Sequence, residues 1–451
     1  MRRQVVGISV NAQLSQNREM MLKSSLFGAA ALLLASTAIV APAMMTPAQA
    51  AAPKAKAVLA HYADLAYATY DDSVTTAKAL DKAVDALLAD PTDKTLAAAR
   101  DAWKAARPSY QQSEAYRFGN PEVDELEGTV NAWPLDEGLI DYVADSYGDS
   151  SDSNPLYRAN VIANKEIQIG KDKVDASVID KKLIQSLQEA GGVESNVAIG
   201  YHAIEFLLWG QDLNGTGPGA GNRPATDYDQ KNCTNGNCDR RAAYLKAATD
   251  LLIDDLTAMR DLWGKEGAAR KRLLGGNEKE GLAVILTGLG SLSYGELGGE
   301  RTKLGLMLHD PEEEHDCFSD NTYNSHFYDQ QGMVNVYTGT YTRADGSVMK
   351  GPSLHDYAKA TAAKADARLM EDMKATTAAM TTMKQTGDSG KMAYDQMIGP
   401  DNPEGNKIVQ DVVDTLVAQT HGVEGVVSAL GLKIKVEGSD SLDNPSAVST
   451  E

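Results

Sequence analysis

A run of apolar side chains at helical spacing, between residues 55 and 90, constrains the fold more than any other feature of the sequence. From Tyr62 through Val74 to Leu80 these side chains recur every three or four positions, which is the period of one face of an α-helix. The same pattern is found at residues 94–118, 176–190, 194–209, 240–263, 280–306, 355–384 and 406–432. Alanine is abundant, aromatic residues make up only 6% of the chain, and residues 333–342 are the best candidate for a strand. The sequence therefore predicts an all-α fold.

The first 50 residues have the pattern of an export signal. Lys23 supplies a positive charge, residues 26–40 form an apolar stretch, and residues 48–50 (Ala-Gln-Ala) match a cleavage site. No later segment has the roughly 18 uninterrupted apolar residues of a membrane span. We therefore predict that residues 1–50 are a cleaved signal peptide and that the mature chain is exported to the periplasm or cell envelope. We expect no integral membrane segment in the mature chain, and association with the outer membrane is left open.

The net charge of the mature chain limits the classes of partner that it can bind. The whole sequence has a formal net charge of −20. Four basic residues and one acidic residue in the first 50 positions give +3, so the remainder carries −23. Such an acidic body repels nucleic acid and anionic lipid and attracts cations. We therefore expect no nucleic-acid partner.

Two of the three cysteines lie close together in the sequence. Cys233 and Cys238 are five positions apart in a polar segment rich in Asn and Gly. In an oxidising compartment this spacing favours a small disulfide loop, and two cysteines alone make a poor zinc site, which usually has four ligands. Cys317 remains, and we expect it to be a buried thiol.

The most apolar run outside the N-terminus, residues 200–210, contains a histidine and a carboxylate. His202 and Glu205 are separated by three positions, so they lie on the same face of a helix. An imidazole and a carboxylate on a buried helix face suit a transition metal. For an isolated H-x-x-E pair, a core histidine bonded to its own glutamate is the plainer interpretation, since buried polar groups need partners in any case.

A weak internal repeat favours the metal-binding interpretation. The repeated order is a glutamate, an aspartate 20 to 22 positions later, and then H-x-x-E. It is formed by Glu114, Asp136, His202 and Glu205 in the first half and by Glu300, Asp320, His421 and Glu424 in the second. We therefore predict two tandem, pseudo-repeated helical bundles, residues 51–245 and 246–435, followed by a flexible tail at 436–451. Two facing bundles would bring acids and histidines to the cleft between them, an arrangement by which helix bundles hold iron.

Longer stretches of the sequence resemble the imelysin family of bacterial envelope proteins. The family mark G-x-H-x-x-E is present as Gly200, His202 and Glu205. Residues 109–114 (SYQQSE), 130–134 (VNAWP) and 313–322 (EEHDCFSDNT) are also similar, the last of them to the iron-regulated branch. The resemblance spans nearly the whole mature chain. It implies a two-bundle all-α fold with a site in the cleft between the bundles, and a role tied to iron.

Metal binding for iron acquisition or homeostasis is the function that these patterns favour. The candidate metal ligands are Glu114, His202, Glu205, Glu300 and His315, and a second rank of binding residues comprises Arg117, Asp136, Asp320, His421 and Glu424. Oxygen and imidazole ligands suit iron, which we favour, and leave zinc, copper and manganese as alternatives. The expected partners are the metal ion and other envelope components of iron uptake.

Two other functions stay open at this stage. A metallopeptidase of the imelysin type is the first alternative, but the zinc-protease motifs H-E-x-x-H and H-x-x-E-H are incomplete, because Ala203 follows His202 and Phe206 follows Glu205. A non-enzymatic interaction or haem-binding protein is the second alternative. The methionines at residues 370–383 are spaced as in a helix core and indicate no haem or copper site.

Overall fold

The computed structural model describes residues 52–151 and 153–448. The predicted signal peptide, residues 1–50, lies outside the described residues. Among those described, no helix combines the length and apolar character that a bilayer crossing requires.

Helices make up most of the described chain, which confirms the all-α prediction. The α-helices are α1 (Ala55–Ala89), α2 (Asp93–Gln111), α3 (Pro121–Val130), α4 (Lys181–Leu187), α5 (Gly200–Trp209), α6 (Cys238–Leu262), α7 (Ala268–Gly275), α8 (Glu278–Ser291), α9 (Leu304–Leu308), α10 (Thr322–Thr338), α11 (Leu354–Thr361), α12 (Ala363–Asp388), α13 (Tyr394–Ile398), α14 (Pro403–Ala429) and α15 (Asp440–Asp443). A π-helix, Leu292–Lys303, joins α8 to α9. Two antiparallel hairpins pair β1 (Glu166–Ile169) with β2 (Asp172–Asp175) and β3 (Thr340–Thr342) with β4 (Val348–Lys350).

The longest helices pack in two groups that α10 connects. Helix α1 packs against α2 and α6, while α12 packs against α14, which also contacts the π-helix. Helix α10 contacts both α2 and α12. The described residues lie in one compact unit, and α6 runs across the boundary predicted between residues 245 and 246. The division into two repeated bundles stays a prediction.

Helix α5 begins at Gly200, whereas the apolar periodicity of the sequence predicts a start at Glu194. Gly200 has a φ of +84°, a conformation that side chains with a Cβ rarely adopt. A Cβ added there would lie 2.5 Å from the carbonyl oxygen of Val130, at the end of α3. The glycine therefore lets the chain turn into α5 while it touches the backbone of α3.

Replacing Gly200 by alanine is expected to destabilise the protein by at least about 2 kcal/mol, since the left-handed conformation alone costs roughly 1–2 kcal/mol and the contact with Val130 adds to it. Gly191→Ala is the matched control, because Gly191 has a φ of +76° with no atom within 4 Å of the added Cβ. Urea unfolding followed by circular dichroism measures both variants. Equal losses of unfolding free energy in the two variants would show that the contact with α3 does not contribute to stability.

The strand predicted at residues 333–342 is wrong for most of its length. Helix α10 extends to Thr338, and only Thr340–Thr342 form a strand. Met333, Val336 and Tyr337 are all buried, at the three- and four-residue spacing of a helix face. Burial of this face outweighs the preference of β-branched and aromatic residues for strands.

The tail that was predicted to be flexible makes contacts with the helices before it, and its flexibility stays a prediction. The backbone N–H of Glu437 donates to Ser291 Oγ over 3.1 Å at the end of α8, and Ser439 and Ser441 are buried. A Cβ on Gly299 would collide with Ser439. Residues 436–443 therefore pack against α8 and the π-helix, where Gly299 allows a close approach.

The structure joins Cys233 and Cys238 in a disulfide, as the sequence favours. The bond closes a loop of six residues that ends at Cys238, the first residue of α6. Cys317 is a free thiol and is partly buried. The covalent loop lies in the long segment between α5 and α6.

Candidate metal centre

Helix α5 holds the H-x-x-E pair in the protein interior. His202 and Glu205 are 1% and 0% exposed, and His202 Nδ1 lies 3.0 Å from Glu205 Oε2. The other carboxylate oxygen, Oε1, accepts the backbone N–H of Ser319 at 3.0 Å. Both oxygens of Glu205 are therefore engaged. His202 Nε2 is buried and has no hydrogen-bond partner among the described residues.

The loop between α9 and α10 brings a second imidazole and a carboxylate close to the ring of His202. The ring of His315 lies 4.7 Å from the ring of His202, centroid to centroid, in an edge-to-face arrangement. One ligand atom from each of His202, His315 and Asp316 lies within 4.8 Å of the other two. All three side chains are buried. We call these residues the histidine–aspartate cluster.

His315 makes no short hydrogen bond through its ring. Its Nδ1 is 3.4 Å from Asp316 Oδ1, and its Nε2 is 3.5 Å from Asn131 Nδ2. Both distances are long for hydrogen bonds of a buried imidazole. The indole N–H of Trp133 donates to the carbonyl oxygen of Glu314 at 3.0 Å, which fixes the backbone immediately before His315. The ring is therefore held in place by packing rather than by its own nitrogens.

Asp316 is anchored by several donors. Arg107 Nη2 lies 2.8 Å from Oδ1, while Asn321 Nδ2, at 2.9 Å, and Ser325 Oγ donate to Oδ2. Burial alone would raise the pKa of Asp316, but the guanidinium of Arg107 and the neighbouring His315 hold it well below its usual range. Asp316 is therefore an anion in the interior.

The imidazoles of the site are neutral. Burial, with a contribution from Arg107, lowers the pKa of His202 to about 3. Burial and Arg301 hold the pKa of His315 well below its ordinary value. A neutral imidazole is the form that binds a metal ion, so these rings are prepared for coordination over the whole physiological pH range.

A third histidine, His326 on α10, lies close to the cluster and was not predicted from the sequence. It is fully buried, and neither ring nitrogen has a hydrogen-bond partner among the described residues. Its ring centroid lies 6.2 Å from that of His315 and 5.4 Å from that of Tyr394. The signal that points to it is the spacing H-x-x-D with Asp329, the same i, i+3 pattern as in α5.

Glu114, predicted as a metal ligand, lies instead in a buried ion-pair network. Its Oε2 accepts from Arg301 Nη2 at 2.7 Å, and Arg301 also contacts Glu296 at 2.6 Å and Asp329 at 3.5 Å. Arg117 lies 3.5 Å from Glu296 and 3.9 Å from Glu114. Arg301 and Glu296 belong to the π-helix. The π-helix thus supplies the counter-charge that holds Glu114.

The second copy of the sequence repeat lies outside the histidine–aspartate cluster. His421 and Glu424 form a pair at 3.1 Å, but their side chains are 68% and 56% exposed. Glu300 is half-buried and lines a pocket with Ser439 of the tail and its neighbours. These residues share the spacing of the first copy but not its environment.

Asp136 and Asp320 occupy two further places. Asp136 fastens a loop, because its carboxylate accepts from Ser195 Oγ at 2.7 Å and from Asn154 Nδ2. Asp320 lies near two other aspartates, Asp212 and Asp395. Of the residues predicted as ligands, the structure thus brings together His202, Glu205 and His315, and adds Asp316.

Comparisons with known proteins agree with this architecture. Over 92 residues the chain is 30% identical to iron-regulated protein A of Synechococcus elongatus, an alignment that covers 20% of this chain and 26% of that protein. The chain thus spans about a quarter of the length of this curated relative. A solved structure described as an iron-regulated protein A precursor from Parabacteroides distasonis superposes with a TM-score of 0.58 at 18% identity, covering 84% of this chain and 96% of that one. The family model described as Imelysin matches residues 66–423, and a match over most of the chain shows that this protein belongs to the imelysin family.

Proposed function

We propose that this protein is exported to the periplasm or cell envelope, where it binds a transition metal ion, with iron favoured, and serves iron acquisition or homeostasis. The observation that carries the proposal is the meeting of His202, His315 and Asp316 in the interior. Buried polar atoms nearly always have hydrogen-bond partners, whereas His202 Nε2 and His315 Nδ1 have none among the described residues. Unpartnered imidazole nitrogens beside an anionic carboxylate fit a metal ion.

The donor set narrows the choice of metal. Two imidazoles and one carboxylate suit iron(II), and they also suit manganese and zinc. Iron is favoured because the two relatives described above are both named as iron-regulated proteins. The other metals, copper among them, are outcomes that the experiment below distinguishes.

We infer that Glu205, predicted from the sequence as a ligand, supports the metal site by orienting His202. Histidines that bind metals commonly donate their second ring N–H to a carboxylate, which fixes the tautomer and orients the ring. Glu205 is placed to accept from His202 Nδ1, and this leaves Nε2 for the metal. Burial raises the pKa of Glu205 well above its usual range, so the metal-free pair holds the carboxyl proton as well as the ring proton of the neutral imidazole. We infer that a cation at Nε2 releases one of these two protons and leaves the other on Nδ1, where Glu205 accepts it.

Replacing Glu205 by glutamine is expected to weaken metal binding about 10- to 100-fold without abolishing it, which is the effect typical of residues that orient a metal-binding histidine. The amide keeps the size of the side chain but cannot carry the negative charge. Competition with a chromophoric chelator measures the affinity. The exposed Glu424→Gln variant, taken from the pair with His421, is the control and should bind as tightly as the wild type.

Metal analysis of the full protein tests the proposal as a whole. The protein is purified from its own cell envelope without affinity tags that bind metals, and its metals are counted by mass spectrometry. We expect about one transition metal ion per chain, with iron predominant under iron-replete growth. Protein that carries no transition metal, and binds none when iron(II) is added without oxygen, would overturn the proposal.

We do not extend the proposal to peptide cleavage. A zinc peptidase needs a glutamate free to act as general base, and both oxygens of Glu205 are engaged by His202 and by the backbone of Ser319. No contact in the histidine–aspartate cluster favours that chemistry over simple coordination. An assay of the same purified protein for chelator-sensitive peptide cleavage would detect such an activity.

A further inference from the structure

Three aspartates from separate segments meet outside the histidine–aspartate cluster. Asp212 lies in the loop that follows α5, Asp320 lies just before α10, and Asp395 is in α13. One carboxylate oxygen from each lies within 4.8 Å of the other two. We call these residues the aspartate cluster. The backbone at Asp320 has a φ of +53°, so the chain turns sharply at this point.

Asp395 is buried without a side-chain partner among the described residues. The side chain is 0% exposed, and neither of its carboxylate oxygens has a hydrogen-bond partner among the described residues. The Oδ1 of Asp320 is also buried and unpartnered. By contrast, Asp212 Oδ1 accepts from the backbone and side chain of Asn214, at 2.9 and 2.7 Å. A buried carboxylate without donors is costly, and here it points towards two further carboxylates.

No basic side chain among the described residues forms an ion pair with the three aspartates. Lys104 is close enough to lower the pKa of Asp320, but its Nζ donates to the carbonyl oxygen of Ser319 at 2.9 Å. Burial, with the charge of Asp212, raises the pKa of Asp320 to about 7. Burial, with the charge of Asp320, raises that of Asp395 to about 8. At neutral pH the cluster must therefore hold either protons or a cation.

We propose that Asp212, Asp320 and Asp395 bind a hard divalent cation of the calcium type, at a site separate from the transition metal. The three side chains offer only carboxylate oxygens, which hard cations prefer, and no imidazole or thiolate. Two oxygens that bind one Ca²⁺ at about 2.3–2.6 Å are at most about 5 Å apart, and the three aspartates meet this limit.

Calcium fits the cluster better than magnesium does. The ligands come from two loops and a short helix, so their directions are irregular. Calcium accepts six to eight oxygens in irregular geometry, whereas magnesium requires a near-ideal octahedron and keeps most of its water. The three carboxylates leave room for water and backbone carbonyl oxygens in the remaining positions.

A cation at this place would also fix the loop that carries the imidazole of the other site. Asp320 lies five positions after His315 in the same loop. The cation would tie this loop to α13 and to the segment after α5. Calcium is therefore expected to raise the melting temperature of the protein even when no transition metal is present.

Calorimetric titration with CaCl₂ tests the proposal on the full, chelator-treated protein at neutral pH. We expect the wild type to bind one calcium ion per chain. The Asp395→Asn variant should bind calcium at least about tenfold more weakly, because it lacks one charged ligand. Asp149→Asn is the matched control, because Asp149 is fully exposed and its ion pair among the described residues is with Arg158. It should bind calcium as the wild type does.

Two further measurements make the result decisive. Asp320→Asn should lose calcium affinity in the same way, and thermal unfolding in EDTA shows whether each variant is folded. His202→Ala should keep its calcium affinity, which separates this site from the transition-metal site. The proposal is overturned if the wild type binds no calcium, if a folded Asp395→Asn binds as tightly as the wild type, or if only His202→Ala loses calcium.

Discussion

The His202→Ala variant is expected to lose its transition metal, with a metal affinity at least about 100-fold below that of the wild type. Removing a residue that only orients a metal ligand already lowers the metal affinity about 10- to 100-fold, and removing the ligand itself should lower it further. The reason lies in the geometry of α5. His202 Nε2 is buried without a partner among the described residues, and the ring of His202 lies 4.7 Å from the ring of His315. Alanine removes the nitrogen and leaves one imidazole and one carboxylate. Binding is measured by metal analysis and by competition with a chelator.

The protein contains its own control for this experiment. His421 and Glu424 repeat the H-x-x-E spacing, and their 3.1 Å contact nearly equals the 3.0 Å contact of His202 and Glu205. The difference is burial, since the side chain of His421 is 68% exposed. His421→Ala should therefore retain the metal, and His315→Ala should lose it. Equal loss in the His202 and His421 variants, or full retention in His202→Ala, would contradict the account.

Arg301→Met is expected to destabilise the protein by about 3–5 kcal/mol, the range found when one partner of a buried ion pair is removed. The guanidinium is 2% exposed and contacts Glu114, Glu296 and Asp329. Methionine fills much of the volume but leaves these carboxylates without their main counter-charge. Arg117 stays within 4 Å of Glu114 and Glu296, so it offsets part of the loss.

The free energy of unfolding, from guanidinium titration followed by circular dichroism, measures this loss. Lys407→Met is the control, because Lys407 and its partner Asp411 are 72% and 53% exposed. An exposed pair of this kind contributes about 0–1 kcal/mol. A loss below about 1 kcal/mol in Arg301→Met would show that the network is not a main support of the fold. It would also reopen the question of what holds Glu114 in the interior.

The local pattern of the sequence predicted most of the long helices and the two H-x-x-E contacts within helices. The spacing of apolar residues gave α1, α6, α12 and α14, and the pattern at residues 280–306 corresponds to α8, the π-helix and α9. The H-x-x-E spacing gave a contact of about 3 Å at both of its occurrences. These features depend on residues within one or two helical turns, so the sequence alone determines them.

Burial and long-range partners could not be predicted in this way. The H-x-x-E spacing does not distinguish His421 from His202; only the apolar run around His202 favours its burial locally, and the exposure of each pair depends on which helices cover it. Glu114 met Arg301, 187 positions away, and Asp316 met Arg107, 209 positions away. His326 has the H-x-x-D spacing, but its place beside His315 depends on how α10 packs. Candidate ligands chosen by residue type therefore included several that tertiary structure pairs elsewhere.

The position of the metal tests the central claim most directly. Crystals of the iron-loaded protein, measured above and below the iron absorption edge, reveal the metal by its anomalous signal. The account predicts one iron peak within bonding distance of ring nitrogens of both His202 and His315, beside Asp316. An iron peak at Glu300, at the His421–Glu424 pair or at the aspartate cluster, with none between His202 and His315, would contradict it.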